Sequence, residues 1–187
     1  MLLVLHEGAL LQRRITPRMQ ATVRLARPID DDELRDVAAQ NPGWVVERVG
    51  GAIVMAPTSS EGARRNAKLT ALLVMWAEAR GYVAFDSNGG FTLHNGDVLA
   101  PDAAVVERSK WERLDMQTRD SFSPIAPDAI IELISRTDRK RDVESKCVAW
   151  FEAGVSYVVL LDPYEKTVRT WGDAPNGFPD DWSSVLA

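Results

Sequence analysis

A single acidic residue interrupts the most apolar stretch of the chain. Glu132 lies within Ala129–Ile134, whose other members are all hydrophobic, and such a run predicts a strand covered on both faces of its sheet. Side chains alternate along a strand, so Glu132 would point to the same face as Ile130 and Ile134. A carboxylate there is costly unless it is paired or bound to a metal. Glu132 is therefore a candidate metal ligand; an arginine partner or an exposed strand end are the alternatives.

A second carboxylate, Asp102, follows Pro101 at the entrance of a hydrophobic run. Pro-Asp is by itself common at the edge of a turn. Counting back from Asn95-Gly96, the centre of a predicted type I′ hairpin, puts Asp102 roughly opposite Gly89, where small residues leave room for a ligand. Two histidines cannot build a histidine-rich zinc site. Oxygen ligands from Asp102 and Glu132 would instead favour Mg²⁺ or Mn²⁺.

A lysine on the following helix is the third candidate. Lys146 borders the predicted buried stripe of that helix, so its stem can lie on apolar surface while its ammonium group reaches inward. A lysine that only reaches solvent from a helix edge is the alternative. The stripe consists of Val143, Cys147, Trp150 and Phe151.

Basic residues lie between Glu132 and Lys146. Arg136, Arg139, Lys140 and Arg141 are close enough in sequence to contact a DNA backbone beside the carboxylates. A solvated helix start is the alternative. Because positive charge at a helix N-terminus opposes the helix dipole, we expect a compensating acidic partner there.

The elements that position these residues follow from the hydrophobic pattern. Strands feed helices and return, which predicts an α/β fold with a mixed sheet and helices on its faces. The predicted order is a helix from about Asp30 to Gln40, strands at Trp44–Val49 and Ala52–Met55 around a Gly50-Gly51 hairpin, a helix from the N-cap segment Thr58–Glu61 to about Arg80, strands at Tyr82–Asp86, Phe91–Leu93, Val98–Val106 and Ala129–Ser135, a helix over Arg139–Ala153, and strands at Ser156–Asp162 and Thr167–Trp171.

The length of 187 residues suits one sizeable domain. We predict this domain over residues 29–171, preceded by an arginine-rich extension over 1–28 and followed by a C-terminal tail over 172–187. The extension is a DNA-contacting arm, a loosely attached, flexible segment, or the product of a start codon assigned upstream of the true start at Met19.

Charge and composition limit the possible partners and location. The net charge of −5 weighs against a general nucleic-acid coat, although a local basic patch remains possible. One cysteine fits a reducing cytoplasm. No apolar run reaches the roughly 18 residues of a membrane span, so we expect no membrane association.

The combined motifs resemble a family of bacterial restriction endonuclease-like proteins in the PD-(D/E)XK nuclease superfamily. The resemblance covers about residues 29–171, and the superfamily core order α-β-β-β-α-β matches the predicted elements. The motifs that carry it are Pro101-Asp102, Glu132–Ser135, Lys146 with Trp150 and Gly154-Val155, and Asp162-Pro163.

This resemblance implies a magnesium- or manganese-dependent DNA endonuclease without a nucleotide cofactor, in which two sites, and hence a homodimer, would cut both strands. Asp102, Glu132 and the backbone carbonyl of Leu133 would hold the cation, and Lys146 would orient water or stabilise charge on phosphorus. The superfamily's lysine usually lies two residues after the second acid, where this chain has Ile134; relatives supply it from the next helix. Glu61 resembles a further acid that some members place near the metal.

Two other interpretations stay open. The chain could be a weak or inactive nucleic-acid-binding module that keeps the nuclease fold, as Ile134 and the acidic charge would favour. Alternatively, it could be an interaction domain in which Asp102 and Glu132 only pair with arginines.

Overall fold

The structure, a computed structural model, describes residues 21–187. Most of the predicted extension, residues 1–20, lies outside the described residues. In chain order the elements are β1 (Ala21–Arg24), α1 (Asp31–Gln40), β2 (Trp44–Val49), β3 (Ala52–Pro57), α2 (Ser60–Glu78), β4 (Tyr82–Phe85), β5 (Phe91–Thr92), β6 (Val98–Leu99), β7 (Ala103–Glu107), α3 (Arg108–Glu112), α4 (Met116–Arg119), β8 (Ala129–Leu133), α5 (Lys140–Glu152), β9 (Tyr157–Asp162), β10 (Thr167–Gly172) and α6 (Ser183–Leu186).

Five strands form a first sheet in the order β1-β3-β2-β6-β5, with antiparallel pairing. Helix α1 packs on one face of it, where Leu34 and Val37 join Val46, Ile53 and Met55 in a buried cluster. The alternation of side chains sends Glu47 to the opposite face. That opposite face is one wall of the cleft described below.

The other five strands form a second sheet in the order β10-β9-β8-β7-β4. Strands β8 and β9 are parallel and the remaining pairs are antiparallel, so the sheet is mixed. Helix α2 covers one face through Leu69 and Leu73, and α5 covers the other through Cys147 and Trp150. The predicted α/β fold, a mixed sheet flanked by helices, is confirmed.

Both ends of the described chain pack against these sheets. Strand β1 lies within the predicted extension and pairs with β3, and its Val23 is buried. At the C-terminus, where the sequence shows no clear pattern, Phe178, Trp182 and Val185 join the cluster between α2 and the second sheet. Apolar residues in an irregular segment carry no periodicity, so this packing leaves no signal in the sequence.

Two turns behave differently although both sequences favour type I′ hairpins. Gly50 and Gly51 both have positive φ, as a type I′ turn requires. The prediction of a type I′ turn at Asn95-Gly96 is wrong, because Gly96 has positive φ and Asn95 does not. Asn95 instead bonds Asp97 through both its amide nitrogen and its carbonyl oxygen.

The predicted single strand over Val98–Val106 is also wrong. It breaks into β6 in the first sheet and β7 in the second, and the break contains Pro101, which cannot donate a ladder hydrogen bond. Strand β7 therefore pairs with β4 and β8, while β5 and β6 form a separate hairpin. The predicted placement of Asp102 opposite Gly89 in that hairpin is consequently wrong.

No helix within residues 21–187 has the length and apolar content that crossing a bilayer requires.

Candidate active site

Strand pairing brings the two predicted carboxylates together. Ala103 pairs with Ile131 and Ala104 with Ile130 across β7 and β8. Continuing this antiparallel register by one position places Asp102 opposite Glu132. Directly opposed residues share a face of the sheet, with Cβ atoms about 4.5–5.5 Å apart. The sheet therefore positions Asp102 and Glu132 as neighbours.

Glu132 is buried, with 4% of its surface exposed, and its carboxylate accepts hydrogen bonds from two side chains of α5. The Lys146 ammonium lies 2.9 Å from Oε1 and 3.2 Å from Oε2. The Trp150 indole Nε1 donates to Oε1 at 2.8 Å. The partner of Glu132 is thus a lysine rather than an arginine, and one helix supplies both donors.

Asp102 is held at the end of the second sheet, where β7 begins. The Leu133 amide donates to its Oδ2 at 2.7 Å, and the Asn66 side-chain amide donates to its Oδ1 at 2.9 Å. The Asn66 Oδ1 atom is buried and has no hydrogen-bond partner among the described residues. Asp102 is thereby fixed between β8 and the first turns of α2.

Lys146 uses its three ammonium donors on three different partners. Besides Glu132, its Nζ lies 2.8 Å from Oε1 of Glu47 and 2.8 Å from the carbonyl oxygen of Ala100. Ala100 belongs to the segment that separates β6 from β7. The lysine therefore ties α5 to β8, to β2 and to the chain that leads into Asp102.

Glu47 is a site residue that the sequence analysis missed. It lies in β2, is 8% exposed, and its Oε1 also accepts the Ala100 amide at 2.8 Å. In sequence it stands between Val46 and Arg48, a pattern typical of a strand with one solvated face. Only the meeting of the two sheets buries it, so the local sequence carries no signal for its role.

The ionisation of these groups follows from their burial. Burial raises the pKa of Glu132 to about 8, against the lowering effect of Lys146. Burial also raises the pKa of Asp102, although Lys146 and the Leu133 amide oppose it. For Lys146 burial lowers the pKa, but Glu132 and Glu47 outweigh it and the net shift is upward. Lys146 is therefore the fixed positive charge of the site.

The charge balance of the site suits a divalent cation. Three carboxylates surround one ammonium group, so full ionisation leaves about two negative charges uncompensated in a partly desolvated place, which costs free energy. Carboxylate oxygens are the ligands that Mg²⁺ and Mn²⁺ prefer. Within residues 21–187, no three acidic, histidine or cysteine side chains are already grouped to hold a metal, and Lys146 stands between Glu47 and Glu132. The oxygen atoms of Asp102 and Glu132 fit such an ion.

These residues lie at the floor of a cleft of about 570 Å³ between the two sheets. The first sheet provides one wall, and the start of α2 and the segment from β8 into α5 provide the other. Of the four predicted nucleic-acid contacts, Arg136 and Arg139 line this cleft. The predicted basic group thus divides, with two of its four members lining the cleft that contains the carboxylates.

Three other predicted site residues lie elsewhere. Glu61 is half exposed, pairs with Arg64 and Arg65, and does not line the cleft. Lys140 forms ion pairs with Asp162 and Glu165, which supplies the compensating partner expected at the start of α5. Arg141 is exposed and its nearest acid is Asp142.

The mixed sheet flanked by helices is the fold of the restriction-endonuclease-like class. A family model described as Uma2, a putative restriction endonuclease, matches residues 31–183. The chain belongs to this family, which confirms the resemblance that the motifs predict. No curated protein matches the chain.

A solved structure shows a similar fold. It is described as a putative nuclease belonging to DUF820 from Anabaena variabilis ATCC 29413, and it superposes with a TM-score of 0.64. The alignment covers 80% of this chain and 82% of that one at 20% sequence identity. At this identity the similarity supports the shared fold.

Proposed function

We propose that the protein is a metal-dependent endonuclease that hydrolyses phosphodiester bonds of DNA. The observation that carries the proposal is the facing pair Asp102 and Glu132, which lies beside Lys146 at the floor of an open cleft. The family's description supports a nuclease, and the excess of buried carboxylates supports a divalent cation, Mg²⁺ or Mn²⁺. We also propose a cytoplasmic location, which the single cysteine supports.

The residues have distinct roles in this proposal. Asp102, Glu132 and the backbone carbonyl of Leu133 hold the cation, and Glu61 is dropped from the ligand set because Arg64 and Arg65 hold it outside the cleft. The bound cation would polarise a phosphate oxygen and lower the pKa of a bound water. Lys146 keeps its charge and donates to the attacking water or to the developing negative charge on phosphorus.

Lys146 can take this role only by giving up one present acceptor, because all three of its donors are used. The Ala100 carbonyl is the uncharged acceptor and therefore the weakest of the three. Glu47 keeps the ammonium group within the cleft during this exchange. Glu47 is thus a positioning residue for Lys146.

The substrate would lie along the cleft with its backbone against Arg136 and Arg139. Arg141 flanks this path and adds positive potential without lining the cleft, whereas the charge of Lys140 is compensated by Asp162 and Glu165. Cutting both strands requires two sites, so we propose a homodimer on DNA.

Calorimetric titration with Mn²⁺ tests the metal site. We expect one bound ion per chain in the wild type and at least tenfold weaker binding in Asp102→Asn and Glu132→Gln. Glu78→Gln is the matched control, since Glu78 is an exposed acid near the end of α2, outside the cleft. Equal Mn²⁺ affinity in all four proteins would refute the metal site.

Incubation of supercoiled plasmid with Mg²⁺ or Mn²⁺ tests the activity. Nicked and linear products should form with the wild type and Glu78→Gln, and should be at least a hundredfold slower with Lys146→Met. Cutting by Lys146→Met at the wild-type rate would remove the lysine from the mechanism.

A specific observation favours a second candidate, a nucleic-acid-binding module without hydrolysis. Ile134 occupies the usual lysine position and is buried in the apolar cluster beneath α5, and Lys146 is fully engaged as a structural cation. DNA binding and Mn²⁺ binding without plasmid cleavage would select this candidate.

A further inference from the structure

Two arginines from different elements converge on one tyrosine at the rim of the cleft. The guanidinium carbon of Arg136 lies 5.1 Å from the centre of the Tyr164 ring, and that of Arg65 lies 5.6 Å from it. Arg136 follows β8, Arg65 lies in α2, and Tyr164 lies in the turn after β9. All three side chains line the cleft that holds Asp102 and Glu132. We call them the rim cluster.

The positive charge of the rim cluster is incompletely compensated. Arg136 is exposed and, among residues 21–187, interacts only with the tyrosine ring. Arg65 has 12% of its side chain exposed and shares Glu61 with Arg64. Its Nε atom is buried and has no hydrogen-bond acceptor among the described residues. A buried guanidinium donor without an acceptor costs free energy, and a second anion beside Glu61 would reduce that cost.

The turn that carries Tyr164 is held rigidly. Asp162 is 4% exposed, and its Oδ1 accepts the backbone amides of Tyr164 and Glu165, both at 3.0 Å. Lys140 bonds the other oxygen of Asp162 at 3.2 Å. The ring therefore supports the two guanidinium groups from a fixed position, by cation–π contact.

We infer that the rim cluster binds a backbone phosphate of the nucleic-acid strand whose neighbouring phosphodiester bond lies at the carboxylates. The cleft has opposite charges at its floor and rim, which matches a phosphodiester chain that meets a cation at one phosphate and arginines at another. Guanidinium groups bind phosphate oxygens through paired donors. Arg65 and Arg136 are the binding residues, and Tyr164 is a positioning residue. The inference rests on the proposed nuclease function and names a substrate subsite for it.

The test is fluorescence anisotropy with a labelled 16-base-pair DNA duplex in EDTA, over a range of salt concentrations. Without metal no bound ion contributes to the affinity, so the measurement reports on the protein's own cationic side chains, and the single variants assign the share of the rim cluster. Arg136→Ala and Arg65→Lys should each weaken binding at least tenfold, and Arg136→Ala should reduce the slope of log K against log salt by about 0.9. Arg113→Ala is the matched control, since Arg113 is exposed at the end of α3 and lies outside the cleft.

Tyr164 separates positioning from folding. Tyr164→Ala should weaken binding while Tyr164→Phe, which keeps the ring, should bind like the wild type. Thermal unfolding of each variant identifies any loss that reflects instability, and Arg136→Ala keeps the test valid if Arg65→Lys unfolds. The inference is overturned if Arg136→Ala and Arg65→Lys bind as tightly as Arg113→Ala, or if the wild type does not bind the duplex at low salt.

Two further measurements distinguish a failure of this inference from a failure of the proposed nuclease function. An RNA duplex of equal length shows whether the cluster takes a DNA or an RNA phosphate, and binding of RNA alone would contradict the DNA substrate. Mn²⁺ titration of Arg136→Ala should match the wild type. Lost metal binding in Asp102→Asn with intact rim effects supports both proposals, whereas rim effects without any metal binding or cleavage would leave a phosphate-binding module and reject the nuclease.

Discussion

Glu132 and Asp102 face each other across two strands, yet they are neutralised in different ways. Glu132 faces an ammonium group and an indole N–H from α5, whereas among residues 21–187 Asp102 accepts hydrogen bonds only from the neutral amides of Leu133 and Asn66. Neutral donors compensate a buried charge less than an ammonium group does. Substitutions in α5 should therefore affect Glu132 more than Asp102, so single variants can distinguish the contributions of the two carboxylates.

The raised pKa of Glu132 predicts a pH dependence of stability in metal-free protein. The pKa of Glu132 is about 8 in the folded protein and about 4.5 in the unfolded chain, where the side chain is not buried. Between these values the unfolded chain binds fewer protons, so the contribution of Glu132 to stability is fully present below about pH 4.5 and is lost as the pH rises through 8. Urea unfolding in EDTA should show this decrease in the wild type but a smaller one in Glu132→Gln. Parallel pH profiles for the two proteins would contradict the shift.

Removing the ammonium group of Lys146 should lower the free energy of unfolding, because the neighbouring carboxylates then lack a positive partner. Lys146→Met leaves Glu47 and Glu132 without their shared ammonium group, and breaking a buried pair costs about 3–5 kcal/mol. Millimolar Mn²⁺ should restore part of this loss, because it supplies the missing positive charge. Arg35→Met is the control, since Arg35 pairs with Asp32 at the surface and its loss should cost at most about 1 kcal/mol. Urea unfolding with and without Mn²⁺ measures both, and a loss that Mn²⁺ leaves unchanged would argue against a cation site.

At the scale of elements, α5 is the part that organises the site. Lys146 and Trp150 are four residues apart, so they lie on one face of the helix and reach the same carboxylate. The helix itself is anchored to the second sheet by the packing of Cys147 and Trp150. The spacing of these two donors along α5 thus orients the carboxylate of Glu132.

Trp150→Phe tests this coupling between α5 and β8. The substitution keeps an aromatic ring against Phe91, whose centre lies 6.3 Å from that of Trp150, but removes the indole donor to Glu132. We expect a loss of about 1–3 kcal/mol, the cost of leaving a buried acceptor short of a partner.

The matched control is Trp171→Phe, in the edge strand β10. Trp171 is less buried, and its indole makes no hydrogen bond to the described residues. Urea unfolding at pH 8 compares the two variants. Equal losses in both would mean that the indole of Trp150 contributes packing alone.

At the scale of the whole molecule, some of the site was predictable and some was not. Glu132 can be found from the sequence because an acid interrupts the apolar pattern of a buried strand. Lys146 can be found from the helical periodicity of α5. The position of Asp102 required knowing that β6 and β7 enter different sheets. Glu47 required knowing that the sheets meet. Local patterns record burial along one element, whereas contacts between sheets depend on long-range topology.

The meeting of the two sheets also explains why the fold was easier to predict than the cleft. Each sheet has its own buried cluster beneath a helix, so periodicity alone indicates the elements. The cleft between them is lined by half-exposed residues such as Val45 and Val54. These resemble ordinary surface positions in a sequence, and only assembly of both sheets places them around Asp102 and Glu132.

Because the site joins both sheets, metal binding should stabilise the whole molecule. An ion that binds only the folded state at a hundred times its dissociation constant adds about 2.7 kcal/mol. For a domain of this size each kcal/mol raises Tm by about 2–4 °C, so we expect an increase of about 5–10 °C with Mn²⁺. Differential scanning fluorimetry should show it in the wild type and in Glu78→Gln. It should be absent in Asp102→Asn, and a similar increase in that variant would place the ion outside the carboxylate pair.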